Sequence, residues 1–149
     1  MSKFPSPDAL ASMVNAVTTT MMNVKFVLAP ATQNVAPFRR AVLPIPGPVP
    51  VAVVVSGDEL SCQRLGAGLF SVTPAEVDLS MMEDTLRELA NITAGQVKRS
   101  MSIDGALGLP RIVVGGGAWG GSGSGKQLIV LRADRDDIHL EVLVALDAS

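Results

Sequence analysis

Two periods of apolar and polar residues run through this chain, and they divide it into helices and strands. Met82, Leu86, Leu89, Thr93 and Val97 recur at steps of three and four, which is one buried face of an α-helix. Asp84, Glu88, Asn91 and Gly95 follow a second stripe on the same helix, at steps of four, three and four. That stripe presents two carboxylates, an amide and a glycine with no bulky side chain between them. Like charges at i,i+4 cost a helix a few tenths of a kcal/mol, and Asn is a mediocre mid-helix residue. Local stability therefore does not account for the stripe.

The remaining elements follow from the same patterns. Ser6-Pro7-Asp8 supplies a cap, a first-turn proline and an early acid. With Leu10, Val14, Val17, Met21 and Val24 at helical spacing, it predicts a helix over about residues 7 to 23, weakened by Thr18-Thr19-Thr20. Lys25 to Val42 is mixed, with short strand-like runs, and Leu43 to Pro50 carries four prolines and reads as an extended connector rather than an inner strand. Val51 to Val55 is β-rich and is expected to end in a turn at Ser56-Gly57-Asp58.

Glu59 to Leu65 fits the second arm of a hairpin, whereas Gln63 to Phe70 fits a short helix that Gly66 and Gly68 disfavour; the pattern leaves both open. Thr73-Pro74-Ala75-Glu76 is a capping box. The striped helix is thus expected to start there or within a turn of Asp78 and to end near Met101. Leu107 to Val114, Gln127 to Arg132 and Ile138 to Leu146 predict three strands. In the last, Leu140, Val142, Val144 and Leu146 share a face, and Asp134 to Asp137 reads as a polar turn before it. The expected fold class is α+β: a largely antiparallel sheet flanked by an N-terminal helix and the long striped helix, in one domain over residues 1–149.

Composition narrows the function. A chain of 149 residues with 48% hydrophobic and 17% charged residues builds a core rather than staying disordered. A net charge of -2 argues against a nucleic-acid-binding surface. Apolar runs are short and interrupted by proline, and the N-terminus lacks a signal-peptide pattern, so the expected location is the cytoplasm, with no membrane partner. One cysteine and one histidine leave no disulfide and no Cys/His metal cluster.

Other candidate chemistry reads as structural. Gly120 to Lys126 nearly spells a phosphate-binding loop, but Gln127 stands where Ser or Thr would hold magnesium, and a strand rather than a helix follows. A Gly/Ser loop joining two strands is the favoured reading, with Trp119 packed against the sheet edge. His139 opens a strand without a nucleophile patterned around it, and Cys62 reads as a small half-buried residue. For the stripe itself, a solvated polar face is the ordinary interpretation. Two features weigh against it: Arg87 pairs best with Glu83, leaving Asp84 and Glu88 without a cation at i±4, and small or apolar neighbours flatten the surface around Asn91.

At these residues the chain resembles the CheX branch of the CheC/CheX/FliY family of response-regulator phosphatases. The family signature is Asp or Ser, three residues, Glu, two residues, Asn, and here it stands as Asp84, Glu88 and Asn91. Leu107-Gly-Leu-Pro110-Arg-Ile-Val-Val-Gly115 matches a segment that follows the helix in that family, and the order of elements agrees over most of the chain. Departures are the Pro-rich stretch 44–50, the short segment between Cys62 and Val77, and the long Gly loop after Gly115.

The resemblance implies a phosphatase acting on the aspartyl phosphate of a CheY-like receiver domain. It implies that Asn91 orients the attacking water, that Glu88 pairs with the receiver's lysine, and that Asp84 contacts the partner. It also implies no cofactor of the chain's own, with Mg²⁺ held by the receiver, and a homodimer. Two other classes remain open: a non-catalytic receiver-binding or flagellar-switch scaffold, and a small-ligand module built on the Gly loop.

Overall fold

A computed structural model describes residues 4–30, 37–114, 126–134 and 137–146. Helix α1 spans Pro7–Val17 and continues as one wide π turn, Thr18–Met22. Ser6 caps α1 by accepting from the Ala9 N–H. The hydroxyls of Thr19 and Thr20 bond back to the carbonyls of Asn15 and Ala16, the competition with helical bonding that such residues bring. Asn23, at φ 56°, ends the turn. The Asn15 amide then pairs with both backbone groups of Phe26, tying α1 to the first strand.

The strands are β1 (Phe26–Ala29), β2 (Arg39–Ile45), β3 (Val51–Gly57), β4 (Arg111–Val114), β5 (Lys126–Ala133) and β6 (His139–Leu146). They form one six-stranded sheet in the order β1-β5-β6-β3-β2-β4, and every pairing is antiparallel. Ala41, Leu43, Val53, Val55, Leu131, Leu140, Val142 and Val144 alternate along the strands onto one face, where they join the apolar stripes of all three helices in one core. The face shared by Leu140, Val142 and Val144 is thus the core face, as the alternation predicts.

The connector expected over residues 43–50 is confined to 46–50, and residues 43–45 correct it. Strand β2 runs through Pro44 to Ile45 and lies inside the sheet, between β3 and β4. A proline is tolerated there because its backbone polar side faces away from β3: the Pro44 carbonyl accepts from the Gly108 N–H at 2.8 Å. The missing donor therefore removes no bond from the β2–β3 ladder. The segment 107–114 is corrected too, since only Arg111–Val114 is strand and residues 107–110 form a loop docked against β2.

Ser56 and Gly57 stay within β3, and Asp58 does not make a turn but caps a helix, accepting from the Ser61 N–H at 2.7 Å. That helix, α2, spans Glu59–Phe70 and resolves the open choice between hairpin and helix. Its glycines have a packing role. A Cβ on Gly68 would stand 2.4 Å from the Met22 carbonyl oxygen, and one on Gly66 would stand 3.0 Å from Val77 Cγ1. Close approach of neighbouring segments outweighs the low helix propensity of glycine here.

The capping box at Thr73 and Glu76 closes a single 3₁₀ turn, Pro74–Glu76. The long helix α3 follows over Leu79–Ser100, so of the two expected starts the one at Asp78 holds and the one at Thr73 does not, and the end falls next to Met101. It packs on β2, β3, α1 and α2. Among the described residues, no helix is long and apolar enough to cross a membrane.

Candidate functional site

Helix α3 is set in place before its polar stripe is considered. Asp78 accepts from the Met81 N–H at 2.9 Å and so caps the start, while Lys98 and Arg99 lie in the last turn, where the helix dipole favours cations. Met82, Leu86, Leu89, Thr93 and Val97 are all buried, as their spacing predicts. Among the described residues, Thr93 Oγ1 has no hydrogen-bond partner. With one face locked inward along an unbroken helix, the opposite stripe has to point outward.

Asp84 and Asn91 are exposed, and Glu88 is half-buried. Gly95 completes the stripe over open space, with nothing within 4 Å of where a Cβ would stand. Among the described residues, neither the Glu88 carboxylate nor the Asn91 amide has a hydrogen-bond or ion-pair partner within the chain. An amide that both donates and accepts, and a carboxylate three residues away, are therefore unengaged on one surface.

That surface is concave rather than flat. Asp84, Arg87, Glu88 and Asn91 line an open depression of about 630 Å³. Met21 from the π turn, together with Leu69 and Phe70 from the end of α2, forms part of its wall, and Gly108, Leu109 and Pro110 form another part. Leu109 is 87% exposed and is held out by the Gly108–Pro44 hydrogen bond. Polar groups on a helix, rimmed by apolar side chains that face solvent, suit contact with another macromolecule.

The charges are arranged differently from the local reading. Glu83 is engaged by Arg39 of β2, Nε to Oε2 at 3.1 Å, with both side chains largely sheltered. Arg87 accordingly turns to Asp84, Nη1 to Oδ1 at 2.7 Å, and stays 3.8 Å from Glu83. The expected Arg87–Glu83 pair is thus present but long, and Asp84, without a cation at i±4, takes the closer contact from Arg87 at i+3. A cation from a strand 44 residues away satisfies Glu83 first.

Elsewhere the candidates separate. Trp119 and residues 115–125 of the Gly loop lie outside the described residues, as do residues 135 and 136 of the turn before β6. Lys126 opens strand β5, so it does not start the helix that a phosphate-binding loop requires. His139 opens β6, its backbone N–H donating to Ser61 Oγ at 2.8 Å. Cys62 is not half-buried but fully enclosed, and burial, with the nearby Asp58 carboxylate, pushes its thiol up to about 12. Among the described residues, no three His, Cys, Asp or Glu side chains are placed to hold a metal ion.

Sequence reasoning singled out Asp84, Glu88 and Asn91, and the fold brings all three to one depression. It missed Met21, Phe70 and Leu109 as walls, because three separate chain segments supply them. Their signal was only that each is a large apolar residue next to a glycine, a turn or a proline.

Solved structures share this architecture. The chemotaxis protein CheX from Vibrio vulnificus is 13% identical, with a TM-score of 0.71 over 94% of this chain and 95% of that one. CheX in a complex with CheY, BeF₃ and Mg²⁺ from Borrelia burgdorferi is 14% identical, with a TM-score of 0.72 over 95% of this chain and 98% of that one. FliY from Thermotoga maritima is more distant, at 8% identity and a TM-score of 0.58 over 93% of this chain and 84% of that one. No curated protein matches the chain. The family model for the chemotaxis phosphatase CheX matches residues 40–132, which include the striped helix and most of the sheet. On that match, the chain belongs to the CheX family of chemotaxis phosphatases.

Proposed function

We propose that this protein hydrolyses the aspartyl phosphate of a CheY-like receiver domain. The observation that carries the reading is the pair Glu88 and Asn91: two polar side chains less than a turn apart on an unbroken helix, in one open depression, unengaged among the described residues. The CheX in the Borrelia burgdorferi complex binds CheY, which supports a receiver as the partner.

The chemistry required is modest. Water attacks phosphorus, the bond from phosphorus to the aspartyl oxygen breaks, the carboxylate leaves with the bond's electron pair, and the water's protons remain on the phosphate. Catalysis of such a transfer is largely positioning and charge stabilisation. Asn91 accepts from the water and donates to a phosphoryl oxygen, aligning the attack. Glu88 pairs with a lysine of the receiver, which fixes the register and keeps its carboxylate from repelling the phosphate. Asp84 belongs to the partner-facing surface. Mg²⁺ is expected on the receiver, where it neutralises part of the phosphoryl charge.

The test is the decay of a phosphorylated receiver. Asn91→Ala abolishes the acceleration without changing the melting temperature, and unchanged decay in that variant would refute the assignment. Glu88→Gln mainly weakens docking and flattens its dependence on salt, since a charge pair is lost.

A second reading has an observation in its favour. The FliM middle domain from Helicobacter pylori shares the fold with a TM-score of 0.53, so the same architecture also occurs in a protein of the flagellar FliM type. A scaffold of that kind binds the receiver and leaves its decay rate alone, so the same assay separates the two. Pairing of two copies through the outer edges of β1 or β4 is part of the proposal, and sedimentation reads it directly.

A further inference from the structure

Arg87 has no part in the mechanism above, yet it lies in the same depression as Glu88 and Asn91. It stands four residues before Asn91 and three after Asp84, so all three occupy adjacent positions on one helical face. Its side chain is 38% exposed, and the guanidinium reaches back one turn to Asp84, the direction in which long helical side chains lean. That pair uses Nη1, and Nη2 has only the distant Glu83 oxygen at 3.8 Å. The rest of the fork's donors have no partner among the described residues.

We infer that Arg87 is a phosphoryl-contacting catalytic residue, held over the site by Asp84 and turned onto the phosphoryl oxygens when the receiver docks. The inference rests on the phosphatase reading and goes beyond it by adding a cation of this chain to the reaction.

Three features support the assignment. Asp84 is 54% exposed, and ion pairs in that setting contribute little, so the guanidinium exchanges partners at small cost. A planar fork matches two phosphoryl oxygens, and a dianionic group attracts it more strongly than one carboxylate does. Glu83 competes only weakly, because Arg39 holds its Oε2 at 3.1 Å and its Oε1 stays 3.8 Å from Nη2. Hydrolysis of an acyl phosphate spreads negative charge over the equatorial oxygens as the bond to the aspartyl oxygen breaks, and a guanidinium beside Asn91 stabilises that charge. The arrangement also gives Asp84 a function: it is a positioning residue that keeps the cation aimed before the receiver arrives.

The experiment measures decay of a phosphorylated receiver at varied concentrations of wild-type protein, Arg87→Ala, Arg87→Lys, Asp84→Asn and Asn91→Ala. Arg87→Ala is expected to lower the saturated rate roughly tenfold or more, up to the roughly hundred- to thousandfold loss of one charge-stabilising donor, while half-saturation shifts by less than about threefold. Free guanidinium ion restores part of the rate to Arg87→Ala and none to Asn91→Ala, an effect that a merely structural pair with Asp84 would not show. Arg87→Lys keeps part of the rate, and Asp84→Asn loses less than Arg87→Ala.

A saturated rate unchanged in Arg87→Ala, a loss confined to half-saturation, or no guanidinium rescue would overturn the inference. If wild-type protein fails to accelerate decay, or Asn91→Ala retains full activity, it is the phosphatase reading itself that fails. Normal acceleration by wild type, loss in Asn91→Ala and full activity in Arg87→Ala would remove the arginine's role alone.

Discussion

Arg39 of β2 and Glu83 of α3 are joined across the sheet–helix interface, Nε to Oε2 at 3.1 Å, and the same guanidinium lies 4.2 Å from the centre of the Phe38 ring. The pair does two things. It fixes the first turns of the helix that carries the site, and it engages Glu83 Oε2, leaving Oε1 in the looser contact with Arg87 at 3.8 Å. Arg39→Ala removes the hydrogen-bonded ion pair and the ring contact together, leaving a sheltered carboxylate without its main cation. Stability is expected to fall by about 2 kcal/mol, which for a chain of this size lowers the melting temperature by roughly 5 °C. Calorimetry reads the shift. Glu83→Gln should cost less, because the amide oxygen still accepts from Nε.

Gly68 and Gly95 should answer the same substitution with opposite signs. A methyl on Gly68 would press on the backbone of Met22, whose carbonyl oxygen lies 2.4 Å from the Cβ position, and backbone does not yield cheaply. Gly68→Ala is expected to destabilise by about 1–3 kcal/mol. At Gly95 nothing lies within 4 Å, so Gly95→Ala is expected to stabilise the helix by roughly 0.5–1 kcal/mol. Chemical denaturation of the two variants side by side decides the matter.

Cys62 gives the chain a dependence on alkaline pH. Its thiol, fully enclosed beside Asp58, is raised from about 9.0 to about 12. The folded state therefore keeps its proton where the unfolded state has released it. The contribution is fully present below about 9 and is lost as pH rises from there through about 12. Across that window stability should fall by about 1.4 kcal/mol per pH unit more steeply in wild type than in Cys62→Ala. At neutral pH the thiol should react with alkylating reagents only when the protein unfolds. Rapid labelling of the native protein would contradict the burial.

How much of this was written in the sequence depends on how far each decision reaches along the chain. The long helix was legible to within a residue or two, since Asp78, the apolar repeat and the basic last turn all act locally. So were the antiparallel character of the sheet and the core face of β6. Helix α2 stayed ambiguous because Gly66 and Gly68 look like breakers until the Met22 and Val77 segments are seen to need the space. Pro44 looked incompatible with an inner strand because the sequence does not reveal which side of it faces β3. The closer partner of Arg87 was hidden for a similar reason: Arg39, which shares Glu83 with it, comes from another element. In the site, the polar residues were visible as a motif on one helix. The apolar walls were not, since Met21, Phe70 and Leu109 converge only after folding.

The loop bearing Leu109 is stitched to Pro44 through a single backbone bond, and a Cβ on Gly108 would stand 2.5 Å from Pro44 Cγ. One wall of the recess is accordingly anchored through the main chain, whereas its polar groups are side chains of one row on α3. Exchanging Asp84, Glu88 or Asn91 should therefore alter the polar part of the recess while the Gly108–Pro44 tether keeps that wall in place.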